Sequence, residues 1–247
     1  MPYQFTISPD LSTRYISGWY VFNTWLQRTL AQHIHLELYR DFDQCRRAIE
    51  TDGVDLIFAN PYDASLLVRD KGFLPVAHPR ARPDEVIIAV QTDSPVRVIE
   101  DFHPGLRIAT STDPAVQIIG MIMLEAADLA PASVTVSGYE NYVLVAKQLL
   151  RGDADTGFFM ADSFNELSPL TRRSLRVVLQ SQIHVIHHML LAGPRMAAFV
   201  EPLRAALADI GSHAKGLAIQ RDLGFAAWDR TEREDAEFMV DLMETLT

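Results

Sequence analysis

The chain has 247 residues, with 22 Lys and Arg residues against 32 Asp and Glu residues and a formal net charge of -10 at pH 7. Proteins that bind nucleic acid usually present a basic face, so this acidity and the absence of a Lys/Arg run exclude nucleic acid as an expected partner. Hydrophobic residues make up 48% of the chain, as expected for a globular protein with a core. The longest apolar segments are too short to span a membrane.

Two features bear on the compartment, and neither decides it. The single cysteine, Cys45, can form no internal disulfide and is interpreted as a half-buried structural residue of a helix. The first fifteen residues lack the basic region followed by an apolar region of a secretory signal. The chain as written is expected to be soluble and cytoplasmic, or periplasmic if it is a processed or excised form.

Strand and helix patterns alternate along almost the whole chain. Period-two alternation or fully apolar runs predict strands at 3–8, 34–39, 54–59, 73–78, 85–92, 106–110, 133–139 and 156–161, and one or two more within 175–192. Apolar residues at helical spacing predict helices at 15–30, 43–50, 61–71, 97–102, 114–128, 141–151, 195–210, 214–223 and from 231 onward. This order predicts an α/β fold whose mostly parallel sheets are covered by helices on both faces.

Two strand-to-helix junctions are of special interest, because ligands of such folds bind at the carboxyl ends of the strands. At Asn60-Pro61 and again at Asp113-Pro114, a capping side chain precedes a proline in the first helical position. Ordinary helix capping explains this pattern by itself. The alternative is that both helix starts face a ligand and donate N–H groups to it.

Other helix ends carry recognisable signals as well. Ser12 or Thr13 is predicted to cap the first long helix, and Gly152 to end the helix over 141–151. Thr231, with Glu234 three residues later, forms a capping-box pattern before the last helix.

The residues near the two proline-containing junctions limit the kind of ligand. Asp63 and Asp113 are negative and compete for the helix N–H groups, so a neutral or zwitterionic ligand would be tolerated better than a simple anion. Aromatic and polar side chains gather near these turns, as they do in small-molecule pockets, although such tyrosines often only pack at an edge. They are Tyr15, Tyr62, Ser111, Thr112, Gln117, Tyr139 and Tyr142.

No catalytic or metal-binding motif is present. The segment IHVIHHM predicts a strand with His184 and His188 on one face and His187 on the other. No carboxylate or cysteine lies at ligand spacing around these histidines, so no metal site is predicted. Hydrolase, phosphate-loop, zinc-protease and dinucleotide motifs are all missing, so no catalytic residue and no cofactor are predicted, and an enzyme is the less favoured class.

The order of three segments is more specific than any single motif. They are GVDLIFANPYDASLLVRDKGFLPVAHP, EVIIAVQTDSPVRVIEDFHPGLRIATSTDPAVQIIGMIMLEAADL and YENYVLVAKQLLRGDADTGFFMADSF. They contain V-D-x-I, then D-S-x-[VI]-x-x-I-x-D-[FL], then a helix ending in R-G-D-A-D before a strand. In this order and spacing the sequence resembles the PhnD-like family of phosphate, phosphite and phosphonate substrate-binding proteins of ABC transporters, which have the type 2 periplasmic binding protein fold.

The resemblance implies two α/β lobes, each with a mixed, mostly parallel sheet flanked by helices. Lobe 1 would contain 1–88 plus 183–247, and lobe 2 would contain 89–182. The chain would cross between them near Ala89–Thr92 and near Gln180–Ile183, and these two crossings would act as a hinge that closes on the ligand.

The resemblance also points to ligand-binding residues in the cleft between the lobes. The turn after the 54–59 strand matches the family's lobe-one ligand loop, and the 110–117 turn matches its lobe-two oxyanion loop. Phosphonate binders commonly have Ser-Thr-Ser-Gly in the second loop, where this sequence has Ser111-Thr112-Asp113-Pro114. The predicted ligand-binding residues are Tyr15, Asn60, Pro61, Tyr62, Ser111, Thr112, Asp113, Gln117 and Tyr139.

The function implied is binding of a small polar solute, expected to be an anion of phosphonate or phosphate type. The protein would serve as an ABC-transporter substrate-binding protein or as a ligand-sensing domain, with an ABC permease or a signalling protein as its partner. Two alternatives remain open. A cytoplasmic enzyme on the same fold, of a cofactor-biosynthesis type, would need an acid or base such as Asp63, Asp113, Asp162 or His184. A non-binding interaction module would have a vestigial cleft.

Overall fold

A computed structural model describes residues 2–245, which form two compact units. Unit 1 contains the chain up to Pro83 together with His187–Thr245, and unit 2 contains Asp84–Ile186. Each unit has one mixed β-sheet with helices packed against it, which confirms the predicted α/β class. Strands β1–β11 and helices α1–α10 are numbered along the whole chain.

Unit 1 has a six-stranded sheet in the order β11-β4-β10-β3-β1-β2. The strands are β1 Tyr3–Ile7, β2 Ile34–Leu36, β3 Leu56–Ala59, β4 Leu74–Pro79, β10 Met189–Ala192 and β11 Trp228–Arg230. β1 pairs parallel with β2 and β3, whereas β10 is antiparallel to both β3 and β4. The carboxyl ends of β1 and β3 and the amino end of β10 therefore meet at one edge of the sheet.

Within residues 2–245, the α-helices of unit 1 are α1 Ile16–Leu30, α2 Phe42–Glu50, α3 Pro61–Arg69, α8 Val200–Asp209, α9 Ala214–Asp222 and α10 Arg233–Thr245. The core is rich in aromatic rings, because α1 presents Trp19 and Phe22 at helical spacing toward the sheet. Trp19 lies edge-on to Phe22 with ring centroids 5.6 Å apart and tilts against Phe58 at 4.9 Å. Such ring pairs add stabilisation beyond their buried area.

Unit 2 has a five-stranded sheet in the order β7-β6-β8-β5-β9. The strands are β5 Val86–Gln91, β6 Leu106–Ser111, β7 Val134–Tyr139, β8 Thr156–Met160 and β9 Leu175–Gln180, and the helices are α4 Pro114–Leu124, α5 Tyr142–Arg151, α6 Ala161–Glu166 and α7 Pro169–Arg173. β6 pairs parallel with β7 and β8, and β5 is antiparallel to β8 and β9. The carboxyl ends of β6, β7 and β8 therefore share one edge with the amino end of β5.

Several local predictions differ from the structure. Of the one or two strands predicted within 175–192, two form, β9 in unit 2 and β10 in unit 1, but the histidines predicted on a strand lie in the irregular segment between them. The predicted helix over 97–102 is a single 3-10 turn at Ile99–Asp101. Helices α6 and α7 were missed, because their short, polar sequence has too little periodicity to identify a helix.

The helix-start predictions were correct at the two proline junctions and inexact elsewhere. Asn60 and Asp113 cap α3 and α4, with proline in the first position of each helix. Ser12 caps a 3-10 turn over Thr13–Tyr15, and α1 begins after it without a side-chain cap. Before α10, the capping box was predicted at Thr231 and Glu234. The corresponding hydrogen bond lies one residue later, where Glu232 N–H donates to the Asp235 carboxylate at 3.3 Å.

Candidate functional site

The turn that follows β3 in unit 1 is held by the side chain of Asn60. Its Oδ1 accepts the N–H of Asp63 at 2.8 Å, as an N-cap does. Its Nδ2 donates to Ser8 Oγ at 3.0 Å and to Asp63 Oδ2 at 2.8 Å. Asn60 is fully buried. Its polar atoms therefore serve the turn itself and join the strand ends of β1 and β3.

A second acid, Asp10, lies in the loop after β1. Ser8 Oγ donates to Asp10 Oδ1, and His188 Nε2 lies 3.0 Å from Asp10 Oδ2. The side chains of Asp10 and His188 are 2% and 5% exposed. Burial by itself would raise the pKa of Asp10, but the nearby His188 and the hydrogen bonds from His188 and Ser8 outweigh it and lower the pKa. Asp10 is therefore a buried carboxylate with its own partners.

Arg46 of α2 connects the same turn to the helix before it. Its Nε donates to Asp63 Oδ1 at 2.6 Å, so both carboxylate oxygens of Asp63 are engaged. Cys45, next to Arg46, is fully buried. Burial, and then the nearby Asp63 carboxylate, raise the pKa of the Cys45 thiol to about 12. The thiol therefore stays protonated and unreactive, and its burial is more complete than the sequence suggested.

Two predicted ligand residues of unit 1 are partly exposed, Tyr62 beside these buried groups and Tyr15 at the turn around Gly224. Tyr62, the second residue of α3, is 39% exposed, whereas Pro61 is buried. Tyr15 lies elsewhere on unit 1, against the turn at Gly224, with the guanidinium of Arg82 5.7 Å from its ring centroid. The structure therefore brings Asn60, Pro61 and Tyr62 together with Ser8 and Asp10.

In unit 2, the predicted polar residues cluster where β6 and β7 end. Ser111 and Tyr139 are register partners at the ends of the two strands, and Thr112 N–H donates to the Tyr139 carbonyl at 3.2 Å. Gln117 Nε2 donates to the Ser111 carbonyl at 2.9 Å. Gly138 of β7 lies beside both Thr112 and Gln117, since a methyl group on its Cα would be 3.5 Å from Thr112 Cγ2 and 3.9 Å from Gln117 Nε2. Four predicted residues, Ser111, Thr112, Gln117 and Tyr139, thus lie close together.

Asp113 has the capping role that the sequence predicted. Its Oδ1 accepts the N–H of Ala115 at 2.9 Å, and its own N–H donates to Ser111 Oγ at 3.3 Å. The residue is fully buried. Its carboxylate thus offsets the positive helix start from inside the protein, while the neighbouring residue Thr112 is exposed.

A buried carboxylate that sequence analysis missed is Glu85, just before β5. It accepts hydrogen bonds from Ser181 Oγ and from the N–H groups of Ile183 at 3.1 Å and His184 at 2.8 Å. His184 has φ of 61°, in the left-handed region. Burial would raise the pKa of Glu85, but these hydrogen bonds lower it overall. Glu85 therefore fixes the turn after β9, near one of the predicted crossings.

Two other histidines form a compact pair in unit 1. The rings of His78 and His187 lie with centroids 3.9 Å apart, and His78 Nδ1 is 2.9 Å from Thr231 Oγ1. Across residues 2–245, no group of three His, Cys, Asp or Glu side chains is arranged to hold a metal ion. The two rings pack against each other, and the effect of the pair should appear in the pH dependence of stability.

We expect His187 to make the protein sensitive to acid. Burial, and then the nearby His78 and His188, lower the pKa of His187 from 6.5 to about 3. Between these two pH values His187 is protonated in the unfolded chain but not in the folded protein. The free energy of unfolding therefore falls as the pH falls. By pH 5 the loss is about 2 kcal/mol. Urea unfolding at pH 7 and pH 5 measures it.

Two variants make this expectation specific to His187. His187→Phe should show a smaller loss of stability between pH 7 and pH 5 than the unchanged protein. His33→Phe, at an exposed position, should behave like the unchanged protein. Equal pH dependence in all three proteins would contradict the assignment.

Comparison with protein families identifies the chain. The family model described as "ABC transporter, phosphonate, periplasmic substrate-binding protein" matches residues 5–236. The chain belongs to this family. Its members are periplasmic substrate-binding proteins, which agrees with the resemblance seen in the sequence. Among curated proteins, no relative matches the chain.

Solved structures of other proteins share the fold of this chain. PhnD1 from Prochlorococcus marinus, in complex with methylphosphonate, has a TM-score of 0.83 at 10% identity, covering 99% of this chain and 97% of that one. An ATP-bound protein from Xanthomonas citri has a TM-score of 0.78 at 14% identity, covering 99% and 97%. The periplasmic aliphatic sulphonate binding protein SsuA from Escherichia coli has a TM-score of 0.67 at 13% identity, covering 99% and 87%.

For this member of the phosphonate-binding family, none of the comparisons supports the enzyme alternative. In the part of the chain that the structure describes, no helix is long and apolar enough to cross a membrane. Sequence analysis did not identify Ser8, Asp10, Arg46, Glu85 or His188 as members of the polar networks at the strand ends. No local pattern marks them, because except for the contact between Ser8 and Asp10 their partners are distant in the chain.

Proposed function

We propose that this protein is the ligand-capturing component of an ABC transporter and binds a small organic oxyanion of the phosphonate or sulfonate class. Its membership of the phosphonate-binding family supports the transport role. The relatives crystallised with methylphosphonate and named for aliphatic sulphonates suggest the ligand class. The partner would be an ABC permease, and the working compartment would be the periplasm.

The observation that carries the proposal is the polar cluster where β6 and β7 end in unit 2. Ser111, Thr112, Gln117 and Tyr139 lie together there, at the start of α4. Hydroxyl and amide donors at a helix start suit an oxyanion, because the positive end of the helix dipole favours negative charge. In this proposal, Ser111, Thr112, Gln117 and Tyr139 contact the ligand, while the buried Asp113 shapes the turn.

We further propose that the strand ends of unit 1 supply a second set of contacts. Tyr62 is the exposed member of the 60–63 turn and would contact the ligand directly. Asn60 would position the turn, since its side chain already makes three hydrogen bonds within it and to Ser8. Pro61 sets the helix start, and Tyr15 would provide an aromatic wall. The placement of the ligand between the two lobes stays a prediction.

Ligand binding is tested by thermal unfolding and calorimetry with methylphosphonate, phosphate, methanesulfonate and sulfate. At a concentration a hundredfold above its Kd, a true ligand should add about 2.7 kcal/mol to the free energy of unfolding. Thr112→Val and Tyr139→Phe should each weaken binding by about tenfold, because each removes one hydrogen bond to a charged group.

Thr135→Val is the matched control, since Thr135 is an exposed threonine of β7 away from the strand end. It should leave binding unchanged. If none of the four oxyanions shifts the unfolding transition, the proposed ligand class is wrong. If an oxyanion binds but both site variants bind it normally, the site is wrong and the ligand class stands.

A further inference from the structure

Asp63 poses an electrostatic problem for an anion-binding turn. It is the third residue of α3, and its side chain is 3% exposed. A carboxylate at a helix start cancels part of the positive potential that would attract an anion. A buried carboxylate would also repel an approaching oxyanion more strongly than one in water, because screening is weaker inside the protein. An anion can be tolerated at this turn only if the charge of Asp63 is compensated.

Arg46 supplies that compensation. Its Nε donates to Asp63 Oδ1 at 2.6 Å, while Asn60 Nδ2 occupies Oδ2 at 2.8 Å. The side chain of Arg46 is 25% exposed, so the contact between Arg46 and Asp63 is largely shielded from water. Guanidinium remains charged at every relevant pH, so the compensation does not depend on protonation. The neighbouring cation, Arg47, is exposed and lies on another face of α2.

Arg46 also holds the exposed aromatic residue of the turn. Its guanidinium carbon lies 4.9 Å from the ring centroid of Tyr62 and 5.1 Å from that of Phe42. Such cation–π contacts are directional, so Arg46 restricts the orientation of the Tyr62 ring. Nη2 of Arg46 is buried and has no acceptor among residues 2–245.

We propose that Arg46 is a positioning residue of the ligand site, acting through Asp63 and Tyr62. This inference rests on the proposed function. By neutralising Asp63, Arg46 lets the 60–63 turn accept a doubly negative oxyanion, and by stacking on Tyr62 it presents the tyrosine to the ligand. The charge effect predicts a measurable difference, because removal of Arg46 should weaken the binding of a dianion more than the binding of a monoanion.

The experiment uses methylphosphonate, which is singly charged in mildly acidic solution and doubly charged in mildly alkaline solution. Calorimetry gives the Kd of each protein at both pH values. Arg46→Met should weaken binding at both, with an extra factor of about fivefold to tenfold for the dianion. The double variant Arg46→Met, Asp63→Asn removes both charges. Its affinity for the dianion should therefore fall no more than its affinity for the monoanion. Arg46→Lys keeps the positive charge and should therefore also bind the dianion without the extra loss of affinity.

Arg47→Met is the matched control on the same helix and should bind like the unchanged protein at both pH values. An equal loss for monoanion and dianion in Arg46→Met would show a purely structural role and overturn the charge argument. Persistence of the dianion penalty in the double variant would overturn it too. If Arg46→Met does not fold, Arg46→Gln, which also removes the charge, takes its place and must show the same extra penalty for the dianion.

These outcomes are separable from failure of the proposed function. If the unchanged protein binds no oxyanion, the proposed function fails and this inference fails with it. If the unchanged protein binds methylphosphonate and Arg46→Met keeps its full affinity for both charge states, the proposed function stands and only the role of Arg46 is wrong.

Discussion

Replacing Asp10 by alanine is expected to lower the free energy of unfolding by about 3 kcal/mol. Asp10 Oδ2 lies 3.0 Å from His188 Nε2, and the two side chains are 2% and 5% exposed. Without the carboxylate, the His188 imidazole and the Ser8 hydroxyl lose their common acceptor in a place that water barely reaches. Urea denaturation at neutral pH measures the loss.

The control for Asp10 is Asp43→Ala, an exposed acid at the start of α2, which should change stability by less than about 0.5 kcal/mol. The pH dependence adds a second check. Because the folded pKa of Asp10 is lowered, its contribution is present above the unfolded value and is lost as the pH falls through the folded value. Asp10→Ala should therefore lose less stability on acidification. An effect no larger than that of Asp43→Ala would contradict the buried pair.

Replacing Glu85 by alanine is expected to cost about 3 kcal/mol as well. The change removes the acceptor of three donors, the Ser181 hydroxyl and the N–H groups of Ile183 and His184. Buried donors without an acceptor each cost about 1–3 kcal/mol, and partial entry of water keeps the sum near the lower end. The left-handed conformation of His184 would also lose its support, because Glu85 bonds its N–H.

Glu85→Gln keeps the side-chain volume but removes one acceptor oxygen, so comparison with Glu85→Ala shows how much of the lost stability is due to the hydrogen bonds. Glutamine keeps one acceptor oxygen, so it should cost less than half as much as alanine. Hydrogen exchange provides the local measurement, since the amides of Ile183 and His184 should lose protection in Glu85→Ala. Unchanged protection at these two amides would show that Glu85 does not hold the turn.

The buried acids at the strand ends now have a consistent explanation. From the sequence, Asp63 and Asp113 argued against an anionic ligand. In the structure, Asp63 is paired with Arg46, and Asp113 accepts the first free N–H of α4. Asp10 and Glu85, which the sequence did not single out, are satisfied in the same way. Because each acid accepts hydrogen bonds within its own unit, an oxyanion ligand remains compatible with these turns.

Much of the fold was predictable because it depends on local patterns. Apolar runs such as 54–59 identify buried strands, and the capping of α3 and α4 involves residues no more than three positions apart. Failures occurred where the local signal is weak. The short helices α6 and α7 have little periodicity, and the histidine-containing segment between β9 and β10 alternates like a strand although it forms none.

By itself, the sequence determined the alternation of strands and helices, the two proline-containing helix starts and the family to which the order of segments points. Only the tertiary structure decided which charges meet. Arg46 and Asp63 are 17 residues apart, Glu85 and Ser181 are 96 apart, and Asp10 and His188 are 178 apart. Capping is an interaction between near neighbours in the chain, whereas the two longest-range pairs form because the strand order brings β1, β3 and β10, and likewise β5 and β9, side by side. Arg46 meets Asp63 because α2 and α3 directly precede and follow β3.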